Sequence, residues 1–235
     1  MAAARVRDLP QDRVLTVNGA QIYDPQCREC PRLAAFLDQA KQEYPEYHCA
    51  PVGPFGDPKA RLLIVGLAPG LHGANASGRP FTGDFAGILL YQTLHKFGFA
   101  TAPVSHSRDD ALELLDCRIS NCVKCVPPQN KPMPAEIRQC NHYLTAELPT
   151  VPKDGVLLAL GSIAHQAVLL SLGLKLKDYK FAHAAEHRLP DGRLFLNSYH
   201  CSRYNTQTRR LTKEMFEQVV GRAAEVVGKG VVARG

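Results

Sequence analysis

The amino-acid sequence predicts an α/β fold, in which a central, mainly parallel sheet of four strands is covered by helices on both faces. Two observations predict it. Short apolar runs have the length and composition of buried strands, and segments with helical spacing of apolar residues lie between them. Strands that alternate with helices form parallel sheets with both faces buried. The length of 235 residues fits one domain.

The first half of the chain is expected to supply two helices and a strand. Apolar residues recur at helical spacing over residues 27–47, which predicts the first helix. A segment rich in proline and glycine then leads to a continuous apolar run, residues 62–65, which is the first expected strand. A second apolar helix is expected over residues 85–97. Residues 1–24 are polar and mixed, and we treat them as an N-terminal extension without assigned structure.

The second half is expected to supply the remaining strands and helices. Residues 118–126 read as a strand, and the loop PPQNKPMP follows it. Proline suits the first turn of a helix, so Pro134 is expected to begin one that ends near residue 148. A buried strand at 156–160 and an Asp-Gly turn before a fourth strand complete the sheet. Helices are also expected at residues 161–172 and 211–227, so the domain covers 25–228 and a tail covers 229–235.

Charge and composition limit the classes of function. The formal net charge of +6 permits a polyanionic partner. There is no run of about eighteen apolar residues that could cross a membrane, and the first residues lack the apolar core of a secretory signal. We therefore expect a cytoplasmic protein with no membrane contact, associated with the nucleoid if it acts on DNA. In that compartment the eight cysteines are expected to be thiols or metal ligands.

The segment GLAPGLHGANASGRPFTGDFAG, which starts at Gly66, joins the first strand to the following helix. Ligands of open α/β sheets bind beyond the carboxyl ends of the strands, and glycine allows backbone to approach a ligand closely. The spacing does not match a phosphate-binding loop. Instead, Phe81 could stack on a ring and Asp84 could orient water or a hydrogen-bond donor. Taken alone, Asp84 would more often be the N-cap of the helix.

A second candidate loop, HCSRYNTQTRR, follows the fourth strand at residues 200–210. His200 stands at the carboxyl end of that strand. The arginines and hydroxyl side chains that follow suit contacts with phosphates. The simpler alternatives are a structural histidine and a solvated basic loop.

The cysteines form two C-x-x-C pairs, at residues 27–30 and 122–125, and Cys140 follows. Four thiolates can hold zinc or an iron–sulfur cluster. The two C-x-x-C pairs lie much farther apart in the sequence than the pairs of a zinc ribbon do, so their spacing does not favour a zinc ribbon. Spacing alone leaves Cys122 and Cys140 as alternatives for the fourth ligand.

Together these segments resemble the uracil-DNA glycosylase superfamily, and more narrowly its family five. The resemblance is carried by GLAPGLHGANASGRPFTGD, by KCVPPQNKPMPAEIRQC joined to the N-terminal CREC, and by HCSRYNTQTRRLT. It implies a three-layer α/β/α sandwich and a [4Fe–4S] cluster. The implied cluster ligands are Cys27, Cys30, Cys125 and Cys140, which leaves Cys122 as a spare strand residue. Other families carry an acidic or amide residue where this chain has Ala68, a difference typical of family five.

The resemblance and the residue chemistry assign roles at the expected site. The expected catalytic residues are Asp84, His200 and Asn130, the last because it resembles the asparagine that holds water in family five. The expected base-binding residues are Gly66, Ala68, Phe81 and Asn121. The expected DNA contacts are Arg203, Tyr204, Asn205, Arg209, Arg210, Lys131 and Lys124. For Asn121, a local backbone contact at the strand end is an equally good interpretation.

The expected activity is therefore that of a DNA repair glycosylase. It would flip uracil, and other deaminated bases such as hypoxanthine, out of DNA and hydrolyse the glycosidic bond. Two alternatives stay open: an iron–sulfur nucleic-acid binder without catalysis, and a hydrolase of free nucleosides or nucleotides. We expect a monomer whose partner is damaged DNA.

Overall fold

The structure, a computed structural model, describes residues 12–17 and 19–229. The strands in this part of the chain are β1 Leu15–Val17, β2 Ala20–Tyr23, β3 Phe55–Gly56, β4 Leu62–Gly66, β5 Cys117–Asn121, β6 Val156–Leu160, β7 Glu186–Arg188 and β8 Leu194–Ser198. The α-helices are α1 Pro31–Glu43, α2 Ala74–Ser77, α3 Phe85–Lys96, α4 Pro134–Glu147, α5 Ser162–Ser171, α6 Arg203–Gln207 and α7 Lys213–Val226.

The main sheet has the strand order β3-β5-β4-β6-β8-β7. Its four central strands are parallel, and the edge strands β3 and β7 are antiparallel to their neighbours. The expected mainly parallel sheet is confirmed, with two edge strands added to the expected four. Strands of two and three residues are too short to leave a recognisable pattern in the sequence.

Helices cover both faces of this sheet. Alternate residues of a strand point to opposite faces, so each central strand contributes to two cores. Leu62 and Ile64 of β4 pack in one core with residues of α3 and α7. Leu63 and Val65 pack in a second core with residues of α1, α4 and α5. The three-layer α/β/α sandwich is therefore confirmed. Within the described residues, no helix has the length and apolar composition needed to cross a membrane.

Two of the element boundaries that differ from the expectation concern cysteines. The first helix begins at Pro31 rather than at residue 27, with Cys30 as its N-cap, because proline without an N–H suits the first helical position. Strand β5 ends at Asn121, so Cys122 is not a strand residue. Beyond Asn121, the N–H groups of Cys122 and Val123 donate to the carbonyls of Gly66 and Leu67 at 3.0 Å before the chain turns away.

The segment left unassigned at the N-terminus contains the antiparallel pair β1–β2. Its buried residues pack against α4, and the Tyr23 hydroxyl donates to the Pro51 carbonyl at 2.7 Å. Residues 230–235 of the expected tail lie outside the described residues.

Candidate active site and cysteine site

The carboxyl ends of β4 and β5 meet at a crowded point. Gly66 and Asn121 are paired as the last residues of these strands. A Cβ atom on Gly66 would lie 2.4 Å from Asn121 Oδ1 and 2.8 Å from Phe81 Cζ. A Cβ at position 66 would therefore displace the side chains of Phe81 and Asn121, which both lie against this glycine.

Phe81 occupies a backbone conformation that is unfavourable for a residue with a Cβ, with φ of 55°. Its carbonyl approaches α3 so closely that a Cβ on Gly87 would lie 1.8 Å from that oxygen. The Phe81 ring is buried, and its centroid lies 5.9 Å from that of the His200 ring at an interplanar angle of 26°. Such strain persists only where the surroundings enforce it, and it clusters at functional sites.

Asp84 serves as a helix cap and also faces open space. Its Oδ1 accepts the Gly87 N–H at 2.9 Å as the N-cap of α3. Burial raises the pKa of this carboxyl, and the hydrogen bonds from the Gly87 and Ala86 N–H groups oppose that rise. Asp84 also lines a cavity of about 400 Å³ together with Phe81 and Arg203. Asp84 can therefore cap α3 and at the same time present its carboxylate to a molecule in this cavity.

His200 follows β8 and lines a second cavity, of about 210 Å³. Burial lowers the pKa of His200 to about 4, so the imidazole is neutral at pH 7 and can act as a neutral donor. The side-chain amide of Asn205 donates to the His200 carbonyl at 2.8 Å, which holds the backbone at this position.

Asn121 carries an unused acceptor. Its Oδ1 is buried and has no hydrogen-bond partner among the described residues. A buried acceptor without a donor costs about 1–3 kcal/mol, so this atom is suited to an N–H group of a ligand. The alternative of a purely local backbone contact leaves that atom unexplained.

Ala68 and Asn130 occupy different surroundings from this group. Ala68 is half-buried, packs against the core shared with α1, α4 and α5, and carries no group that could hold water. Asn130 is exposed at the end of a single 3₁₀ turn, Pro128–Asn130, with φ of 57°. Among the described residues, no hydrogen bond joins it to Asp84 or His200, and it lines neither of the cavities that contain those two residues.

The expected DNA contacts fall into two groups. Arg203, Tyr204, Arg209, Arg210 and Lys131 are exposed. The guanidinium of Arg203 lies 5.2 Å from the centre of the Phe85 ring, and that of Arg210 lies 4.6 Å from the centre of the Tyr199 ring. Tyr204 is 70% exposed and stands at the start of the short helix α6. Asn205 turns inward to His200 instead.

The prediction that Lys124 contacts a DNA phosphate is wrong. Its side chain is buried, and its ammonium donates to Ser120 Oγ at 2.6 Å and lies 3.6 Å from the Glu147 carboxylate. It cannot reach a phosphate. The sequence shows a lysine next to a cysteine after a strand, and it does not show that a carboxylate from α4 lies beneath it.

Four cysteines line one cavity between α1, the loop after β5, and α4. They are Cys27, Cys30, Cys125 and Cys140. Burial raises the pKa of the Cys125 thiol, and repulsion between its thiolate and those of the other three cysteines raises that pKa further. The Lys124 N–H donates to Cys140 Sγ at 3.3 Å. Cys122 does not line this cavity and donates to the Leu67 carbonyl at 3.1 Å.

These four sulfurs are not arranged around a single ion. Within residues 12–17 and 19–229, no three His, Cys, Asp or Glu side chains are placed to hold one metal ion. Four thiolates are a ligand set that both structural zinc and iron–sulfur clusters use.

Sequence reasoning missed two aromatic residues of the site. Phe181 and Tyr199 line the cavity beside His200. Tyr199 could have been found, because it precedes His200 at the end of a strand. Phe181 lies in a loop between α5 and β7 with no pattern that marks it.

The family model of the uracil DNA glycosylase superfamily matches residues 54–223 of this chain. The type-5 uracil-DNA glycosylase of Thermus thermophilus is 46% identical over 207 residues, which cover 86% of this chain and 94% of that protein. That of Pyrobaculum aerophilum is 39% identical over 206 residues, covering 86% and 89%. The type-4 uracil-DNA glycosylase of Archaeoglobus fulgidus is 32% identical over 143 residues, covering 60% and 58%. The chain therefore belongs to the uracil-DNA glycosylase superfamily and, within it, to the type-5 enzymes.

Proposed function

We propose that this chain excises uracil from DNA by hydrolysing the bond between the base and deoxyribose, which leaves an abasic site. Family membership supports this reaction. The observation that carries it is the unpartnered Asn121 acceptor beside the Phe81 ring, at the ends of β4 and β5. A planar base with an N–H on its edge satisfies both features at once.

The base must leave the helical stack before its glycosidic bond is accessible. Phe81 then stacks on the flipped base, and the Asn121 amide pairs with the uracil N3–O4 edge, since it can accept from N3–H and donate to O4. The neutral His200 donates to O2, where negative charge accumulates as the bond breaks. Donors aimed at developing charge are often the largest catalytic contribution.

Asp84 stabilises the positive charge that develops on the sugar, or orients the attacking water. Ala68 can do neither. Asn130 holds the water in this mechanism, as its resemblance to the family-five asparagine suggests. Because Asn130 is exposed and does not line the cavity that contains Asp84, this role requires DNA to bring the water and the sugar to it.

DNA binds across the exposed basic residues of the α6 segment and Lys131. Tyr204 and Arg203 enter or flank the minor groove and fill the space that the flipped base leaves. Binding is expected to weaken with salt, because these side chains displace counterions from phosphates. We further propose that the protein acts as a monomer in the cytoplasm, at the nucleoid.

The substrate range is proposed to include hypoxanthine and other deaminated bases. Position 68, just beyond the end of β4, carries only a methyl group, so a larger ring meets no bulky side chain at that position. This extension is separate from uracil excision, and the comparison of the two bases in one assay decides it.

The four cysteines are proposed to hold a [4Fe–4S] cluster. A cluster of several irons takes one thiolate at each of four separate corners, whereas zinc draws all four to one centre. The Lys124 N–H at Cys140 Sγ is the kind of hydrogen bond that tunes such clusters. When bound, the cluster would cross-link three segments that are distant in sequence.

The experiment is release of free base from a uracil-containing oligonucleotide, measured with wild type, Asp84→Asn and Asp84→Ala. Asparagine is as good an N-cap as aspartate, so Asp84→Asn should keep the melting temperature. Both variants should lose excision by about 100-fold or more while still binding DNA, because the carboxylate is gone. Unchanged excision by Asp84→Asn removes Asp84 from the mechanism. Release of base from free deoxyuridine, independent of salt, supports the nucleoside hydrolase instead.

A further inference from the structure

The loop that carries Asn130 has an unfavourable backbone. Gln129 and Asn130 are consecutive residues with φ of 56° and 57°, in the left-handed region, which asparagine adopts more readily than glutamine, so the strain lies chiefly at Gln129. Within the loop, the N–H groups of Asn130 and Lys131 each donate to a carbonyl three residues back, at 3.1 Å. A conformation of this kind persists only where neighbouring structure enforces it.

One side chain from 99 residues earlier in the sequence supplies such a contact. The Arg32 guanidinium donates to the Lys131 carbonyl at 3.2 Å, and it holds Glu136 with two further hydrogen bonds of 2.7 and 2.6 Å. The same Glu136 carboxylate accepts the Met133 N–H at 2.7 Å. Arg32 and Glu136 therefore hold the chain on the side of Asn130 that leads into α4. The planar guanidinium provides this paired geometry, which lysine cannot reproduce.

We propose that Arg32 is a positioning residue for Asn130. Arg32 lies in the first turn of α1, two residues after Cys30, so the helix that directly follows two of the four cysteines also holds the candidate water-binding loop. The contact presents the Asn130 amide in one orientation to DNA. This inference rests on the proposed function only for its effect on catalysis, since the hold on the loop is independent of the reaction.

Arg28 offers a matched control from the same region. It lines the cysteine cavity and also makes paired hydrogen bonds to a carboxylate, that of Asp38, but both side chains are 57% exposed, and the hydrogen bonds of Arg28 go to Asp38 and the Ala34 carbonyl rather than to the loop. A general effect of losing one arginine near the cysteines should therefore be the same in Arg28→Gln and Arg32→Gln.

The test combines hydrogen exchange with a double-mutant cycle in the iron-loaded protein. Arg32→Gln should speed amide exchange at Asn130 and Lys131, and slow single-turnover uracil excision on the order of 10-fold, since small misplacements of a catalytic group are costly. In an Asn130→Ala background the same substitution should slow excision less than about 2-fold, because the two residues act as one unit. Arg28→Gln should change neither quantity, and iron content should stay at the wild-type level in all variants.

Equal slowing in both backgrounds, or unchanged exchange at Asn130 and Lys131, overturns the proposal. If Arg32→Gln does not retain iron, Arg32→Lys replaces it, with the same expectations and the same contradicting outcomes. Failure of the proposed function has a different signature: wild type releases no uracil, or Asn130→Ala excises as fast as wild type. The exchange measurement still decides the role of Arg32 in either event.

Discussion

At the scale of single residues, His200 shows how burial selects a protonation state. An exposed histidine has a pKa near 6.5. Burial lowers that of His200 to about 4, so protonation is expected only well below neutral pH. The nearby Phe81 ring, 5.9 Å from the imidazole, adds no charge that would favour the imidazolium. A neutral imidazole has one N–H to donate, which is sufficient for one carbonyl oxygen.

We therefore expect the single-turnover excision rate to show no ionisation of His200 between about pH 5 and pH 8. If His200 acted as an imidazolium with an ordinary pKa, the excision rate would fall as the pH rises through about 6.5. If it acts as a neutral imidazole, the rate stays constant over this range. The measurement is the pH–rate profile of wild type beside that of His200→Asn, which should be lower at every pH and have the same shape. A wild-type decline centred near pH 6.5 that disappears in His200→Asn contradicts the neutral donor.

The residues of the site could be predicted to different degrees for physical reasons. Phe81 and His200 were found because they sit in loops at the carboxyl ends of strands, where ligands collect. Lys124 was assigned wrongly because sequence shows the charge but not the buried Glu147 that neutralises it. The choice between two roles for Asn121 needed the position of its Oδ1 atom, which depends on the pairing of β4 with β5.

At the scale of elements, β5 and α4 are joined by buried charges. The Glu147 carboxylate of α4 lies 3.1 Å from Arg118 Nε and 3.6 Å from Lys124 Nζ. It also accepts a hydrogen bond of 2.7 Å from the Ser120 hydroxyl. Arg118, Lys124 and Glu147 are all almost fully buried. Buried charges are tolerated when they are paired, and the loss of one partner leaves the others uncompensated.

Glu147→Gln should therefore lower the free energy of unfolding by about 3–5 kcal/mol, because it leaves two buried cations with one neutral amide. Chemical denaturation gives this value from the midpoint and slope. Asp38→Asn is the comparison, since it removes the exposed partner of Arg28, and solvent screening should make its effect far smaller. If the two substitutions lower the free energy of unfolding equally, burial does not make the Glu147 ion pairs more important to stability than the exposed pair of Arg28 and Asp38.

Most helices and strands can be predicted from the spacing of apolar residues along the sequence. The prediction fails where the segment is very short or where no break in the pattern marks its end. The apolar run that contains β5 extends past Asn121 in sequence, so the end of the strand was placed too late. That end matters because the chain after it turns toward the cysteine cavity, and Cys125 lies on this turn rather than in the sheet. The short α6 was expected as a loop, since a five-residue helix has no apolar face to reveal it.

At the scale of the whole molecule, the cysteine cavity joins segments that the sheet does not hold together. Cys27 and Cys30 lie at the start of α1, Cys125 in the loop after β5, and Cys140 within α4. The proposed cluster would close loops of about a hundred residues, and closing long loops restricts the unfolded chain. The same helix α1 reaches the Asn130 loop through Arg32, so loss of the cluster should affect both stability and the site.

Cys125→Ser and Cys122→Ser separate a cluster ligand from a buried thiol three residues away. Both cysteines are buried, but only Cys125 lines the cavity. Cys125→Ser should lose most of the iron, lower the melting temperature and reduce excision. Cys122→Ser should keep the wild-type iron content, because its side chain contacts the Leu67 carbonyl and not the cavity. Iron and sulfide analysis of the purified proteins measures this directly. Full iron in Cys125→Ser, or zinc in place of iron in wild type, contradicts the assignment of these four cysteines to an iron–sulfur cluster.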